Sequence, residues 1–245
     1  MDNIKIYAMI PARAGSTRLK LKNLALINGK PMISYAINAA RDSGIFDKII
    51  VNSENEKFAL IAEEFGVEFY KRPEKLGSSK TKSDEVIADF INQYEQADIL
   101  AWVNPIAPFQ KGNDIINSVK YFFDKGLDSL ITVEDKNVHC LYNGNPINYY
   151  PNEVFSRTQD LIPVKAFAYT LMMWRTSAFK RVYNKNGSAL FCGNFDTFTV
   201  NSLSGMIIKT QHDLMLADLI MRGINKNQTN YQVQYHPLSL ELTKV

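Results

Sequence analysis

Short apolar runs alternate with amphipathic stretches through the first 135 residues, and this rhythm constrains the fold more than any other feature of the chain. Lys5-Ile-Tyr-Ala-Met-Ile10 is an apolar run closed by Pro11, which reads as a buried strand. Pro31 opens a helical pattern with Ile33, Ala36, Ile37 and Ala40 on one face, and Gly44 stops it. The pairing then repeats. A strand over 48–52 precedes a helix over 54–65 closed by Gly66. A short strand over 67–70 precedes a helix whose N-cap is read as Ser83, with Asp84 and Glu85 in its first turn. A strand over 99–103, a helix over 115–123 and a strand over 129–133 complete the series. Such alternation demands a mostly parallel sheet with helices on both faces. Ligands of such sheets bind outside the carboxyl ends of the strands, here the segments 11–23, 52–55, 71–82 and 104–112.

Charge selects the same edge. The net charge of +3 conceals +5 over residues 11–30 (Arg13, Arg18, Lys20, Lys22 and Lys30, with no acid) and +4 over 71–82. The rest of the chain is therefore −6. A nucleic-acid binder spreads basic charge over a face or along a helix, so two short basic loops in an otherwise acidic chain suit a compact polyanion such as a nucleotide triphosphate, and no nucleic-acid partner is expected. With 46% hydrophobic and 22% charged residues the composition is that of a globular protein. No apolar run approaches the roughly 18 residues of a membrane span, and Met1-Asp2-Asn3-Ile4-Lys5 lacks the basic and apolar regions of a signal peptide. A cytoplasmic protein is expected, with Cys140 and Cys192 as buried free thiols. His139, His212 and His236 are too widely spaced to form a ligand cluster.

From about 136 to 200 the rhythm breaks. Residues 136–155 are rich in Asn, Tyr and Pro and read as turns or an antiparallel hairpin. Ala166 to Trp174 is strongly apolar, which reads as core or, where exposed, as a subunit interface. A last helix is read over 211–221, and residues 223–245 are polar and carry no assignment.

The first loop, Pro11-Ala-Arg13-Ala-Gly15-Ser16-Thr17-Arg18-Leu19-Lys20-Leu21-Lys22-Asn23, has neither the G-x-x-x-x-G-K-[ST] nor the G-x-G-x-x-G pattern. It resembles the nucleotide-binding signature of the sugar-acid cytidylyltransferases, approximately A-R-x-x-S-[KT]-x-x-x-x-K-N, with Arg13, Ser16, Thr17, Lys22 and Asn23 on the pattern. Asn28-Gly29-Lys30-Pro31 is similar to that family's entry into its first helix, and Arg72-Pro73-Glu74-Lys75-Leu76 to its R-P-x-E-L element. Ser83 falls where the family places a nucleotide-binding serine. Asn104-Pro105-Ile-Ala-Pro108 is similar to Q-P-T-S-P, and Arg157-Thr-Gln159-Asp160-Leu161 to R-x-Q-D-L near the sugar-acid site.

The resemblance implies a single Rossmann-like nucleotidyltransferase domain over residues 1–245. It would be a three-layer sandwich with an inserted dimerisation and acceptor-binding region at about 136–200, assembled as a homodimer. It implies attack of a sugar-acid hydroxyl on the α-phosphate of CTP, with pyrophosphate leaving and a CMP-sugar formed. Arg13 and Lys22 would face the β- and γ-phosphates, and Ser16 and Thr17 would donate to phosphate oxygens. Asn23 and Ser83 would contact ribose or base, Arg72 would read the base or complete the basic wall, Asn104 would belong to the nucleotide site, and Arg157 and Gln159 would hold the acceptor. The family's magnesium-binding D-x-D pair is replaced by Ile207 and Lys209, and hydrophobic or cationic side chains cannot bind a hard cation. Three readings follow: a transferase whose Mg2+ is held by the phosphates, one in which Lys209 at a strand end supplies the missing positive charge, or a degenerate relative that binds a nucleotide or a partner.

Overall fold

The computed structural model describes residues 4–16 and 18–226. Seven strands form its main sheet: β1 Ile6–Pro11, β2 Lys48–Ser53, β3 Glu68–Lys71, β4 Ile99–Val103, β5 Ser129–Lys136, β6 Val164–Arg175 and β7 Phe195–Thr199. The helices are α1 Met32–Ser43, α2 Phe58–Glu64, α3 Ser83–Gln93, α4 Gly112–Asp124, α5 Thr176–Asn186 and α6 Gln211–Lys226. The sheet order is β7-β5-β6-β4-β1-β2-β3. Parallel pairs join β1 to β2 and β4, β2 to β3, and β5 to β7. Only β6 runs antiparallel, between β4 and β5. A parallel neighbour needs a covering crossover, usually a helix. Between β5 and β6 the chain instead makes a two-stranded ribbon, Leu141–Tyr142 with Asn145–Pro146, and irregular turns. Of the region 136–200, β6 and β7 belong to the main sheet, while residues 137–163 lie outside it.

Strand periodicity splits the core in two. Ile6, Ala8 and Ile10 of β1 point to one face, where they meet Ile33 and Ile37 of α1, Phe58 of α2 and Phe122 of α4. Tyr7 and Met9 point to the other, toward Phe90 of α3 and Phe179 of α5. The chain is thus the α/β three-layer sandwich expected, and Gly44 stops α1 in a left-handed conformation at φ 64°.

Two local expectations fail for local reasons. The helix expected over 54–65 begins at Phe58. Ser53 Oγ accepts the Asn55 amide at 3.1 Å and Asn55 Oδ1 accepts the Lys57 amide at 3.0 Å, which holds these residues in a turn. Ser83 is the first residue of α3 and not its cap; Lys82 caps it, its amide bound by Glu85 Oε1 at 2.9 Å.

A third, smaller core ties α6 to the first loop. Ile27, Met32, Phe109, Ile208 and Ala217 are all buried together. Ile27 lies in a ribbon, Leu26–Ile27 with Lys30–Pro31, turned by Asn28 and Gly29 at φ 47° and 77°. The Asn28 amide donates to Asp218 Oδ1 of α6 at 2.7 Å.

Candidate active site

A cleft of about 330 Å³ opens over the carboxyl ends of β1 and β4. Its walls come from three of the four segments expected to follow strand ends: the first loop from Pro11 to Asn23, the stretch from Arg72 to Ser83, and Trp102 to Ile106. The fourth segment supplies a support. Glu54, just past β2, accepts the Ala14 amide at Oε1 (2.9 Å) and the Arg72 guanidinium at Oε2 (2.7 Å). One carboxylate therefore fixes the first loop and the second basic segment to each other. Gly77 is required by this arrangement, since a Cβ there would lie 2.5 Å from Glu54 Cγ.

Arg72 is only 4% exposed, and its Nη2 also reaches the Ala12 carbonyl at 3.3 Å. Burial lowers its pKa, an effect that Glu54 opposes. Among the described residues its Nε–H has no acceptor, and the Oδ1 of buried Asn23 has no donor. Buried polar groups are nearly always paired, so an unpaired donor and an unpaired acceptor on side chains lining one cleft mark a place for a ligand that offers both. The indole N–H of Trp102, another lining residue, is likewise unpartnered.

Cations gather in the same cleft. Lys22 opens a short turn, Lys22–Leu24, that Leu21 enters in a left-handed conformation at φ 48°. Its Nζ lies 3.4 Å from the Ile208 carbonyl. Its pKa is lowered to about 8, first by burial and then by the charges of Arg18, Arg13 and Lys209. The structure therefore holds several cations together, and among the described residues only Asp213 opposes their effect on Lys22. This is the electrostatic imprint of a polyphosphate.

Arg13, Ser16, Lys22, Asn23, Arg72, Ser83 and Asn104 all line the cleft. Thr17 lies outside the described residues. The Asn104 amide is spent within the protein, donating from Nδ2 to the Tyr169 carbonyl at 3.0 Å. Arg157 and Gln159 do not line the cleft; they sit on an exposed turn where Arg157 Nε pairs with Asp160 Oδ2 at 2.7 Å. Lys209 is not at a strand end, because β7 stops at Thr199 and residues 206–209 are irregular. It is exposed, but it follows Ile208, whose amide binds the Ile106 carbonyl at 2.8 Å and whose own carbonyl faces Lys22. Glu54 and Trp102 were not singled out from the sequence. Glu54 had a signal, being the one acid in a strand-end segment between two basic ones.

The cytidylyltransferase family model matches residues 7–149, which contain every wall of this cleft. The chain belongs to the cytidylyltransferase family. An N-acylneuraminate cytidylyltransferase of Escherichia coli is 39% identical over 118 residues, which are 48% of this chain and 28% of that protein. A CMP-N,N'-diacetyllegionaminic acid synthase of Legionella pneumophila is 32% identical over 122 residues, 48% of this chain and 53% of that protein. The matches thus span between about a quarter and a half of these curated relatives. In fold, the chain is similar to a CMP:2-keto-3-deoxy-manno-octonic acid synthetase complexed with CTP, with TM-score 0.71 at 17% identity, over 89% of this chain and 99% of that one.

The cytidylyltransferase cleft does not fit a magnesium ion held by protein carboxylates. Ile207 and Lys209 offer no oxygen ligand. Asp213, four residues on, has its Oδ2 engaged by the amides of Lys209 and Thr210, both at 2.8 Å. Among the described residues no three His, Cys, Asp or Glu side chains group as a metal site.

Proposed function

We propose that this cytidylyltransferase moves CMP from CTP to a sialic-acid-like sugar acid and releases pyrophosphate. The observation that carries the reading is one cleft that joins two kinds of group. Buried Arg72 and Asn23 keep, among the described residues, a free donor and a free acceptor, the complement of a base edge that both accepts and donates, and Lys22 is held among the charges of Arg13, Arg18 and Lys209.

The protein's part in this reaction is placement and charge neutralisation. Glu54 sets Arg72 and the Ala14 amide in fixed relation before any ligand arrives. Arg13 and Lys22 take the phosphates on which negative charge builds as pyrophosphate departs, and Ser16 and Thr17 donate to phosphate oxygens. Ser83, at the start of α3, adds a hydroxyl to the ribose side. Any Mg2+ would come on the nucleotide's phosphates, and no step of the chain's own chemistry uses a protein-held ion. Residues 137–163 expose Tyr150, Val154, Phe155 and Ile162 at 71–93%, which supports a homodimer joined through this excursion.

Pyrophosphate release with CTP and a panel of N-acylneuraminic and 3-deoxy-octulosonic acids tests the assignment. Turnover with CTP above the other nucleoside triphosphates is the expected result. The missing acidic pair favours one other reading, a degenerate nucleotide binder, which CTP affinity without turnover would identify.

A further inference from the structure

Strand β6 carries an irregularity that the core does not need. Its register against β5 shifts between Phe167 and Met172, and inside the shift Tyr169 stands at φ 54°. A left-handed backbone is strained for any residue with a Cβ, and for a bulky aromatic it is rare. Such strain persists only where the surroundings over-determine it. Here they do: the Asn104 side chain holds the Tyr169 carbonyl at 3.0 Å, the Asn104 amide holds the Thr170 carbonyl at 3.0 Å, and buried Thr132 Oγ1 accepts the amides of Thr170 (3.0 Å) and Leu171 (3.1 Å). The strain does not serve burial. Tyr169 stays 39% exposed, with its ring stacked on that of Phe167 at 5.4 Å and 20°. Phe167 is itself 38% exposed and lies 6.0 Å from Phe191, which is 55% exposed.

This aromatic group is joined to the cleft by Asn104, which lines the cleft and grips Tyr169. We propose that Tyr169 is a specificity-determining residue. It does not itself line the cleft, but it is held in a strained conformation next to the lining residue Asn104, so that its ring, backed by Phe167, extends the wall outward against the apolar C–H face of a sugar-acid ring. The inference rests on the function proposed above. A polyhydroxylated ring with one apolar face suits an aromatic plane with a polar tip, which contacts C–H groups through its face and leaves its hydroxyl to water or to a sugar oxygen. The side-chain amide of Asn104 then sets this wall and does not read the nucleotide.

The variants are Tyr169→Gly, which relieves the backbone, Tyr169→Phe, which keeps the face, and Phe167→Ala, which removes the backing. Steady-state kinetics with N-acetylneuraminate or 2-keto-3-deoxy-manno-octonate are expected to show acceptor KM raised about tenfold in Tyr169→Gly, a typical loss for one stacking partner. CTP KM and Tm should not worsen, and Tyr169→Phe should stay close to wild type. Saturation-transfer NMR with a non-hydrolysable CTP analogue gives a second readout that needs no turnover. Irradiating aromatic protons should reach the sugar acid in wild type and much less in Tyr169→Gly. Unchanged acceptor KM and transfer in Tyr169→Gly would overturn the proposal. So would loss of an oligomer in that variant with acceptor contacts intact, because the ring would then belong to a surface between copies. CTP binding without any sugar contact refutes the wall and leaves the nucleotide reading standing. Absence of CTP binding refutes the nucleotide reading, and the sugar signal measured without nucleotide then decides the wall by itself.

Discussion

On the function proposed above, Lys22 should make CTP binding proton-linked. Burial and the charges of Arg18, Arg13 and Lys209 bring its pKa down to about 8 in the empty protein. A triphosphate beside it replaces repulsion with attraction and returns the pKa toward the ordinary lysine value of about 10.4. At pH near 8 about half the free molecules carry a neutral Lys22 and nearly all the complexes a charged one, so binding takes up about half a proton; at about pH 6.5 the uptake falls below about 0.05. The nucleotide adds little at pH 8, since phosphate's own last ionisation lies near pH 6. Affinity must then fall as pH rises above about 8, by up to about tenfold per unit, until the bound-state pKa is passed. Calorimetry of CTP binding in two buffers of different ionisation enthalpy reads the uptake directly. The same lowered pKa makes charged Lys22 a cost to the empty fold below about pH 8. That cost fades between about pH 8 and 10.5, so Lys22 contributes a rise in stability with pH over this window. Lys22→Met should abolish the uptake and weaken CTP binding. It should also raise the Tm of the empty protein by about 2–4 °C, because partial exposure screens the cost to about 1 kcal/mol. No buffer dependence in wild type at pH 8, or the same uptake in Lys22→Met, would refute the assignment.

Glu54→Ala leaves Arg72 buried without its carboxylate and should cost about 3–5 kcal/mol of stability, read by denaturant unfolding; an effect below about 1 kcal/mol would show that the pair does not organise the loop. Arg72→Ala and Arg13→Ala should each weaken CTP binding by about 1–3 kcal/mol, and calorimetry showing unchanged affinity in both would remove the nucleotide from this cleft. Light scattering should give twice the 27.9 kDa chain mass in wild type and a smaller species in Val154→Asp, and a wild-type monomer would refute the dimer. Lys209→Asp should lower CTP affinity measured in EDTA, and equal affinities would mean that the lysine only faces solvent.

How far the sequence could be read depended on where each residue's partners lie. The sheet was legible because its signals are local: Ile6, Ala8 and Ile10 alternate with Tyr7 and Met9, and Gly44 marks a helix end by backbone conformation alone. The cleft walls were legible because strand ends and charge picked the same loops. Glu54 was missed because its role lies in contacts with Ala14 and Arg72, 40 and 18 residues away in the chain. The start of α2 was misplaced because hydrophobic periodicity does not register the turn that Ser53 and Asn55 make with their own backbone. The acceptor assignment of Arg157 and Gln159 came from motif likeness alone, and the two residues sit on an exposed turn that does not line the cleft. The bulge at Tyr169 is not marked within the apolar run from Ala166 to Trp174, which reads as core or interface; the backbone angle and the register shift reveal it.

The altered metal positions and the depressed lysine belong to one electrostatic argument. A protein-held dication needs carboxylates near the phosphates, and those acids would raise the pKa of a neighbouring lysine. Here one such position holds an ammonium, Lys209, which helps to lower the pKa of Lys22 and outweighs Asp213, the acid that pulls the other way. Charge that a metal would supply at binding is thus built into the empty fold, where its mutual repulsion destabilises the protein until a polyanion arrives. On the function proposed above, part of the nucleotide's binding energy is the relief of that repulsion, so substitutions that add negative charge at Lys209 should stabilise the ligand-free protein and weaken the complex together.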